Sequence, residues 1–171
     1  MRRLHILRHA KSSWGEAGLD DFDRPLNRRG ERAAAALGVY CRQIGLAPDH
    51  VICSPARRTQ MTWAAIAPYL SSLPSLPPPR TIEQPPAAYG ADARTWRALI
   101  AAVPTDAAAL LIIGHNPGLE DLARSLSGGD PRLTAFPTAA FATIAFDAAG
   151  WRQAMAGTGL LEDFQVPKLL V

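Results

Sequence analysis

Apolar and polar positions along this chain recur in one order: a short apolar run, a polar loop, then a stretch with helical spacing. Leu4, Ile6 and Leu7 form the first run and stop at Arg8-His9, which predicts a buried strand that opens onto a polar loop. After an acidic stretch, Asn27 stands where a helix cap belongs, ahead of Ala33, Leu37, Cys41 and Ile44 at helical spacing, with Gly45 as the stop. Val51-Ile52-Cys53 is the second strand. Ser54-Pro55 then opens a helix predicted to run to about Leu70, with Met61, Ala65 and Ile66 facing the core.

Four prolines between Leu73 and Pro79 rule out helix and central strand there and predict an extended surface connection. Thr81-Ile82 reads as a short strand, and Trp96, Leu99, Ile100 and Val103 form one stripe of a helix that Pro104 closes. The clearest strand is Leu110 to Ile113, which ends in Gly114-His115-Asn116-Pro117-Gly118 and precedes a helix carrying Leu119, Leu122, Ala123 and Leu126. Phe141 to Phe146 adds a last strand with a turn at Gly150, and the tail from Gly157 has no readable pattern. This alternation predicts an α/β fold: a three-layer sandwich with a mostly parallel central sheet flanked by helices, residues 1–171 forming a single domain. Ligands of such sheets gather at the carboxyl ends of the strands, where Arg8-His9, Ser54 to Arg58 and His115 fall.

Composition narrows the classes. Among 171 residues, 48% are apolar and 19% charged, enough for a packed core and against disorder. The longest apolar run, Ala107 to Ile113, is far below the roughly 18 residues of a membrane span. Arg8 and His9 interrupt the apolar stretch that follows Arg2 and Arg3, so a secretory signal is not expected and a cytoplasmic protein is. Cys41 and Cys53 sit among apolar neighbours and read as unpaired core residues. The formal charge is +3 with arginines scattered rather than blocked, so no nucleic-acid partner is expected.

The chemistry concentrates at three strand ends. His9 follows Arg8, and the pair Arg57-Arg58 lies at the mouth of a helix. Guanidinium forks form bidentate bonds to phosphoryl oxygens, and free N–H groups at a helix start add donors, as at Asn116-Pro117 beside His115. A zinc site built from His5, His9, His115 and a cysteine competes for the same atoms, but no paired cysteine or carboxylate cluster completes a tetrahedral set. The expected site therefore holds an anion, with no metal and no cofactor.

At these residues the chain resembles the histidine phosphatase superfamily, and within it the SixA-type phosphohistidine phosphatases. The resemblance rests on Leu7-Arg8-His9-Ala10-Lys11-Ser12-Ser13-Trp14, on Asp21-Phe22-Asp23-Arg24-Pro25-Leu26-Asn27 with Gly30, on Ser54-Pro55-Ala56-Arg57-Arg58-Thr59-Gln60-Met61-Thr62, and on Gly114 to Gly118. It runs from Leu4 to about Phe146, and Pro137-Thr138-Ala139-Ala140 also matches. It implies a phosphoglycerate mutase-like fold, with His9 as a nucleophile that accepts the phosphoryl group and Arg8, Arg58 and His115 binding its oxygens. Ser12 and Asn116 join them as substrate-binding positions. The family's arginine stands four residues after the motif serine, which selects Arg58 over Arg57, and its usual Gln before the motif threonine is Met61 here.

The family's acid position reads Pro85-Pro86-Ala87-Ala88-Tyr89 and holds no carboxylate, leaving Glu83 and Asp92 as the flanking candidates for a proton donor. Predicted elements nearly fill the stretch from Arg58 to His115, so no cap insertion is expected and the site should be open and shallow. These features imply a metal-independent phosphatase for protein phosphohistidine, releasing inorganic phosphate. A small-molecule phosphomonoesterase and a phosphate-binding module without turnover are the alternatives.

Overall fold

The computed structural model describes residues 1–71 and 77–170. Its elements in chain order are β1 (Arg2–Arg8), α1 (Arg28–Gln43), β2 (His50–Cys53), α2 (Arg57–Ser71), β3 (Thr81–Glu83), α3 (Ala93–Ala101), β4 (Ala109–Gly114), α4 (Gly118–Leu126), β5 (Phe141–Phe146), α5 (Trp151–Ala156), β6 (Leu160–Gln165) and α6 (Pro167–Leu170). Two 3-10 turns, Asp21–Asp23 and Pro86–Ala88, stand between them. Most of the proline-rich connection predicted over Leu73 to Pro79 lies outside the described residues.

The six strands make one sheet in the order β3-β2-β4-β1-β5-β6. β3, β2, β4 and β1 pair in parallel, while β5 and β6 join antiparallel. Successive strand residues point to opposite faces, so an apolar run with no polar break, such as Leu110 to Ile113, belongs to a strand covered on both sides. Leu111 and Ile113 meet Leu37 and Cys41 of α1 and Ile66 and Leu70 of α2. Leu110 and Ile112 join the other layer, with Trp96, Ile100, Leu119, Leu122 and Trp151 of α3, α4 and α5. The three-layer sandwich expected from the sequence is the observed architecture.

Local chemistry explains the boundaries. Asn27 caps α1, its side-chain oxygen accepting from Gly30 N at 2.8 Å, a contact worth about 1 kcal/mol. Gly45, just past the helix, adopts φ +66°. Gly30 has a second duty, since a Cβ there would fall 2.1 Å from the Lys11 carbonyl oxygen. Only glycine lets α1 lie against the loop that follows β1.

Three expectations change. The helix assigned to begin at Ser54-Pro55 starts at Arg57, and Ser54 to Ala56 form a loop braced by Thr59 Oγ1, which lies 2.7 Å from Ser54 O and 2.6 Å from Ala56 O. α5 follows Gly150 unannounced, because six residues are too few to display a helical period. The unreadable tail supplies β6, half-buried on the sheet edge with a register shift between Thr143 and Ile144, where alternation fails as a signal. Cys41 and Cys53 are unpaired and buried.

Candidate active site

Parallel register puts three loops side by side. Arg8 is level with Gly114, and Cys53 with Ile113, so the residues just past β1, β2 and β4 share one edge of the sheet. His9 N donates to Gly114 O at 3.0 Å and Ser54 N to Ile113 O at 2.9 Å, which carries the pairing one step beyond the strands. His9, Ser54 and His115 thereby come together from distant parts of the sequence. Thr62 of α2 locks the arrangement: its hydroxyl accepts from Ala10 N at 3.0 Å and donates to Arg58 O at 2.7 Å.

A cavity of about 290 Å³ opens at this edge, with Arg8, His9, Ser12, Arg58, His115 and Asn116 in its wall beside Lys11, Trp14, Asp21 and Thr138. His9 Nδ1 lies 2.7 Å from the Ala10 carbonyl. A carbonyl only accepts, so Nδ1 carries the proton and Nε2 keeps its lone pair. Arg58 Nε donates to that Nε2 at 3.4 Å. Burial pushes His9 down to about 4, with Arg58 and Arg8 adding to the shift against the opposing Ala10 bond. Desolvation is thus a larger cause of the neutral imidazole than the neighbouring arginines.

His115 lies across from His9, with ring centroids 5.2 Å apart, and its Nε2 is 2.7 Å from Ser54 Oγ. Burial and then Arg58 push it down to about 3. His115 is therefore neutral in the free protein and contributes no resting positive charge. Arg8 Nη1 donates to Phe136 O at 3.0 Å. Arg8 Nε and His115 Nδ1 are buried with no hydrogen-bond partner among the described residues. Where Ser54 Oγ donates to Nε2, His115 Nδ1 carries the proton, and it and Arg8 Nε are then donors that a phosphoryl oxygen would satisfy.

Asn116 lines the cavity, but its amide nitrogen is spent: Nδ2 donates to Glu120 Oε2 at 3.0 Å and to Phe136 O at 2.9 Å. It braces the wall rather than offering a free side-chain donor. Glu120 Oε2 also accepts from Phe136 N at 3.1 Å, so one carboxylate positions the peptide that holds Arg8.

Neither proposed proton donor reaches the site. Glu83 ends β3, and β3 is three strand spacings, about 14 Å, from β1. Its carboxylate lies 2.9 Å from His50 Nε2, without hydrogen-bond alignment. Asp92 caps α3, accepting from Thr95 N at 2.7 Å. The carboxylate that does reach the cavity is Asp21, in the first 3-10 turn, and Tyr89 of the second turn stands with it. Tyr89 OH donates to Asp21 Oδ2 at 2.7 Å, and its ring meets His115 edge-on at 5.6 Å. Sequence reasoning quoted Asp21 only within a motif, and no spacing rule links it to a tyrosine so far along the chain. His5, part of the zinc alternative, turns away, its Nδ1 2.9 Å from Thr143 Oγ1 in the core.

The model of the histidine phosphatase superfamily, branch 1, matches residues 4–84. An uncharacterized protein of Mycobacterium tuberculosis is 33% identical over 175 residues, covering 95% of this chain and 100% of that one. A structure from Nakamurella multipartitia, assigned as the phosphohistidine phosphatase SixA, superposes with a TM-score of 0.81 at 29% identity, over 97% of this chain and 96% of that one. This chain belongs to the histidine phosphatase superfamily. A chloroplastic protein of Arabidopsis thaliana, also uncharacterized, is 32% identical over 139 residues, 77% of this chain, and the chain spans 62% of that relative's length. The superfamily match includes His9 and Arg58 but stops short of His115 and Thr138, which the sheet returns to the same cavity. The fold is that of the SixA-type, phosphoglycerate mutase-like members.

Proposed function

We propose that this protein is a phosphatase that takes a phosphoryl group onto His9 Nε2 and passes it to water, with protein phosphohistidine as its substrate. The observation that carries the reading is the Ala10 carbonyl on Nδ1, which leaves Nε2 unprotonated between Arg58 and His115. In the first step the phosphorus–nitrogen bond of the substrate breaks as a bond to His9 Nε2 forms, and the departing imidazole takes its proton from solvent. Water then attacks phosphorus, the bond to Nε2 breaks, and inorganic phosphate leaves with His9 neutral again. Arg8, Arg58 and a hydrogen bond from His115 offset charge on the equatorial oxygens, and Ser12 lies against the bound group.

The substrate class is supported by what surrounds the cavity. The described residues between α2 and β4 supply β3, one 3-10 turn and α3, so a phosphoryl group on a protein side chain can enter from solvent. Trp14, 72% exposed, stands at the rim. The test compares kcat/KM on a phosphohistidine protein with kcat/KM on small phosphate esters, in wild type and His9→Ala. The expected result is strong preference for phosphohistidine, an acid-labile phosphoenzyme in wild type, and neither in the variant. Preference for an alkyl ester, or turnover that survives His9→Ala, would overturn it.

A further inference from the structure

A second cavity of about 250 Å³ adjoins the first and shares two of its walls, Lys11 and Thr138. Its other faces come from far apart in the chain: Arg29 and Ala33 from α1, Pro137 from the loop before β5, and Val166 to Lys168 from the carboxyl-terminal segment. Three cations therefore converge on it, Lys11, Arg29 and Lys168, and among the described residues no carboxylate lines it. None of the three makes an ion pair or a side-chain hydrogen bond among the described residues. By contrast Arg3, Arg24, Arg58, Arg80, Arg124 and Arg132 each lie within 4.0 Å of a carboxylate oxygen.

The three cations border an apolar floor of Ala33, Pro137 and Val166. Like charges held near one another repel, and a cluster of this kind becomes favourable when an anion covers it. The apolar floor suits an extended peptide rather than a free ion, since it offers burial to carbon atoms between charges. Lysine pairs with a carboxylate as a point charge on a flexible stem and arginine as a two-point fork, so the three can meet carboxylates at several positions along a peptide.

We propose that this groove is a docking subsite for acidic residues flanking the phosphorylated side chain of the protein substrate. The inference rests on the phosphatase reading above and adds a sequence preference to it. With the phosphoryl group beside His9, the substrate chain passes Lys11 and Thr138 and lays carboxylates against Arg29 and Lys168. Attraction of this kind raises the encounter rate and is screened within about 8 Å at physiological salt.

The test uses two synthetic phosphohistidine peptides that differ only in flanking residues, Asp and Glu in one and Asn and Gln in the other, with p-nitrophenyl phosphate as the reference. Wild type is expected to favour the acidic peptide about ten-fold in kcat/KM, which is the yield of two exposed ion pairs. The preference should shrink as salt rises. The double variant Arg29→Glu, Lys168→Glu should abolish or reverse it while p-nitrophenyl phosphate turnover stays at the wild-type rate. Equal use of both peptides by wild type, or a preference that the double variant keeps, would overturn the subsite and leave the phosphatase reading standing. Competition by a small bisphosphate, lost in the double variant and without preference between peptides, would also overturn it, assigning the groove to a second phosphate. No turnover of any of the three substrates would remove the parent reading and this one with it.

Discussion

Asp21 grips Arg58 at two points: Nη2 donates to the carboxylate at 2.9 Å and Nη1 to the backbone carbonyl of the same residue at 2.6 Å. The guanidinium plane is thus fixed with Nε toward His9. Hydrogen bonding from Tyr89, and then from Arg58, holds the Asp21 carboxyl below the usual carboxylate range, so it is ionised at neutral pH. It serves as a clamp. Asp21→Asn should lower kcat/KM on p-nitrophenyl phosphate about five-fold, the scale of a partly exposed charged contact. Arg58→Ala should lower it 100-fold or more on the scale of a lost transition-state donor, roughly 10² to 10³. Arg57, by contrast, is exposed and lines no part of the cavity, and Arg57→Ala should match wild type. Equal losses at Arg57 and Arg58 would contradict the assignment.

An ionised Asp21, with Glu83 and Asp92 both outside the cavity, leaves no protonated carboxyl among the described residues of its wall to assist a leaving group. Imidazole, whose conjugate acid has a reference pKa of about 6.5, departs far more readily than a serine alkoxide. Phosphohistidine and aryl phosphates are therefore expected to be hydrolysed and simple alkyl phosphates to react slowly, as initial rates of phosphate release will show. Glu83→Ala should leave those rates unchanged. Asp92→Ala should do the same while costing about 1 kcal/mol of stability in denaturant unfolding, through loss of the α3 cap. Fast alkyl hydrolysis in a variant carrying both Glu83→Ala and Asp92→Ala would reveal a donor elsewhere.

His5, His9 and His115 are buried, and burial pushes them down to about 3, 4 and 3 from the ordinary 6.5. Below pH 6.5 the unfolded chain takes up protons that the folded chain refuses. Their contribution to stability is therefore complete above that value and is lost as the pH falls, down to about 4 for His9 and about 3 for His5 and His115. At pH 5 each should cost roughly 2 kcal/mol relative to pH 8. Urea midpoints at the two pH values measure the total, and NMR titration of the imidazoles identifies the three. Midpoints that do not move between pH 8 and pH 5 would contradict the burial of these rings.

On the proposed reading Arg8 and Arg58 supply the positive charge that offsets the phosphoryl group, so turnover is expected to persist in EDTA, and vanadate should inhibit by occupying the cavity. Rescue of an EDTA-treated sample by a divalent ion would count against this. Arg8→Lys should remain at least ten-fold below wild type. An ammonium cannot hold the Phe136 carbonyl and a phosphoryl oxygen in one plane, as the guanidinium can. Full activity in that variant would mean that a point charge is enough.

Local sequence patterns were sufficient for much of this molecule. A continuous apolar run at Leu110 to Ile113, a cap at Asn27 and a stop at Gly45 each act within a few residues, so strand, helix start and helix end could be read without neighbours. The strand-loop-helix order then placed His9, Arg58 and His115 at one sheet edge, because parallel strands present their carboxyl ends together. Tertiary structure alone decided the rest. Whether Glu83 or Asp92 could reach the phosphoryl group depended on strand order, which put β3 at the far edge, and on a cap that claimed Asp92. Asp21 and Tyr89 meet although 68 positions apart, and Glu120 steers Arg8 through the Phe136 peptide. Such contacts leave no periodic trace in the chain. They follow from which loops the sheet brings into register, and the free energy of that packing belongs to the whole fold rather than to any segment.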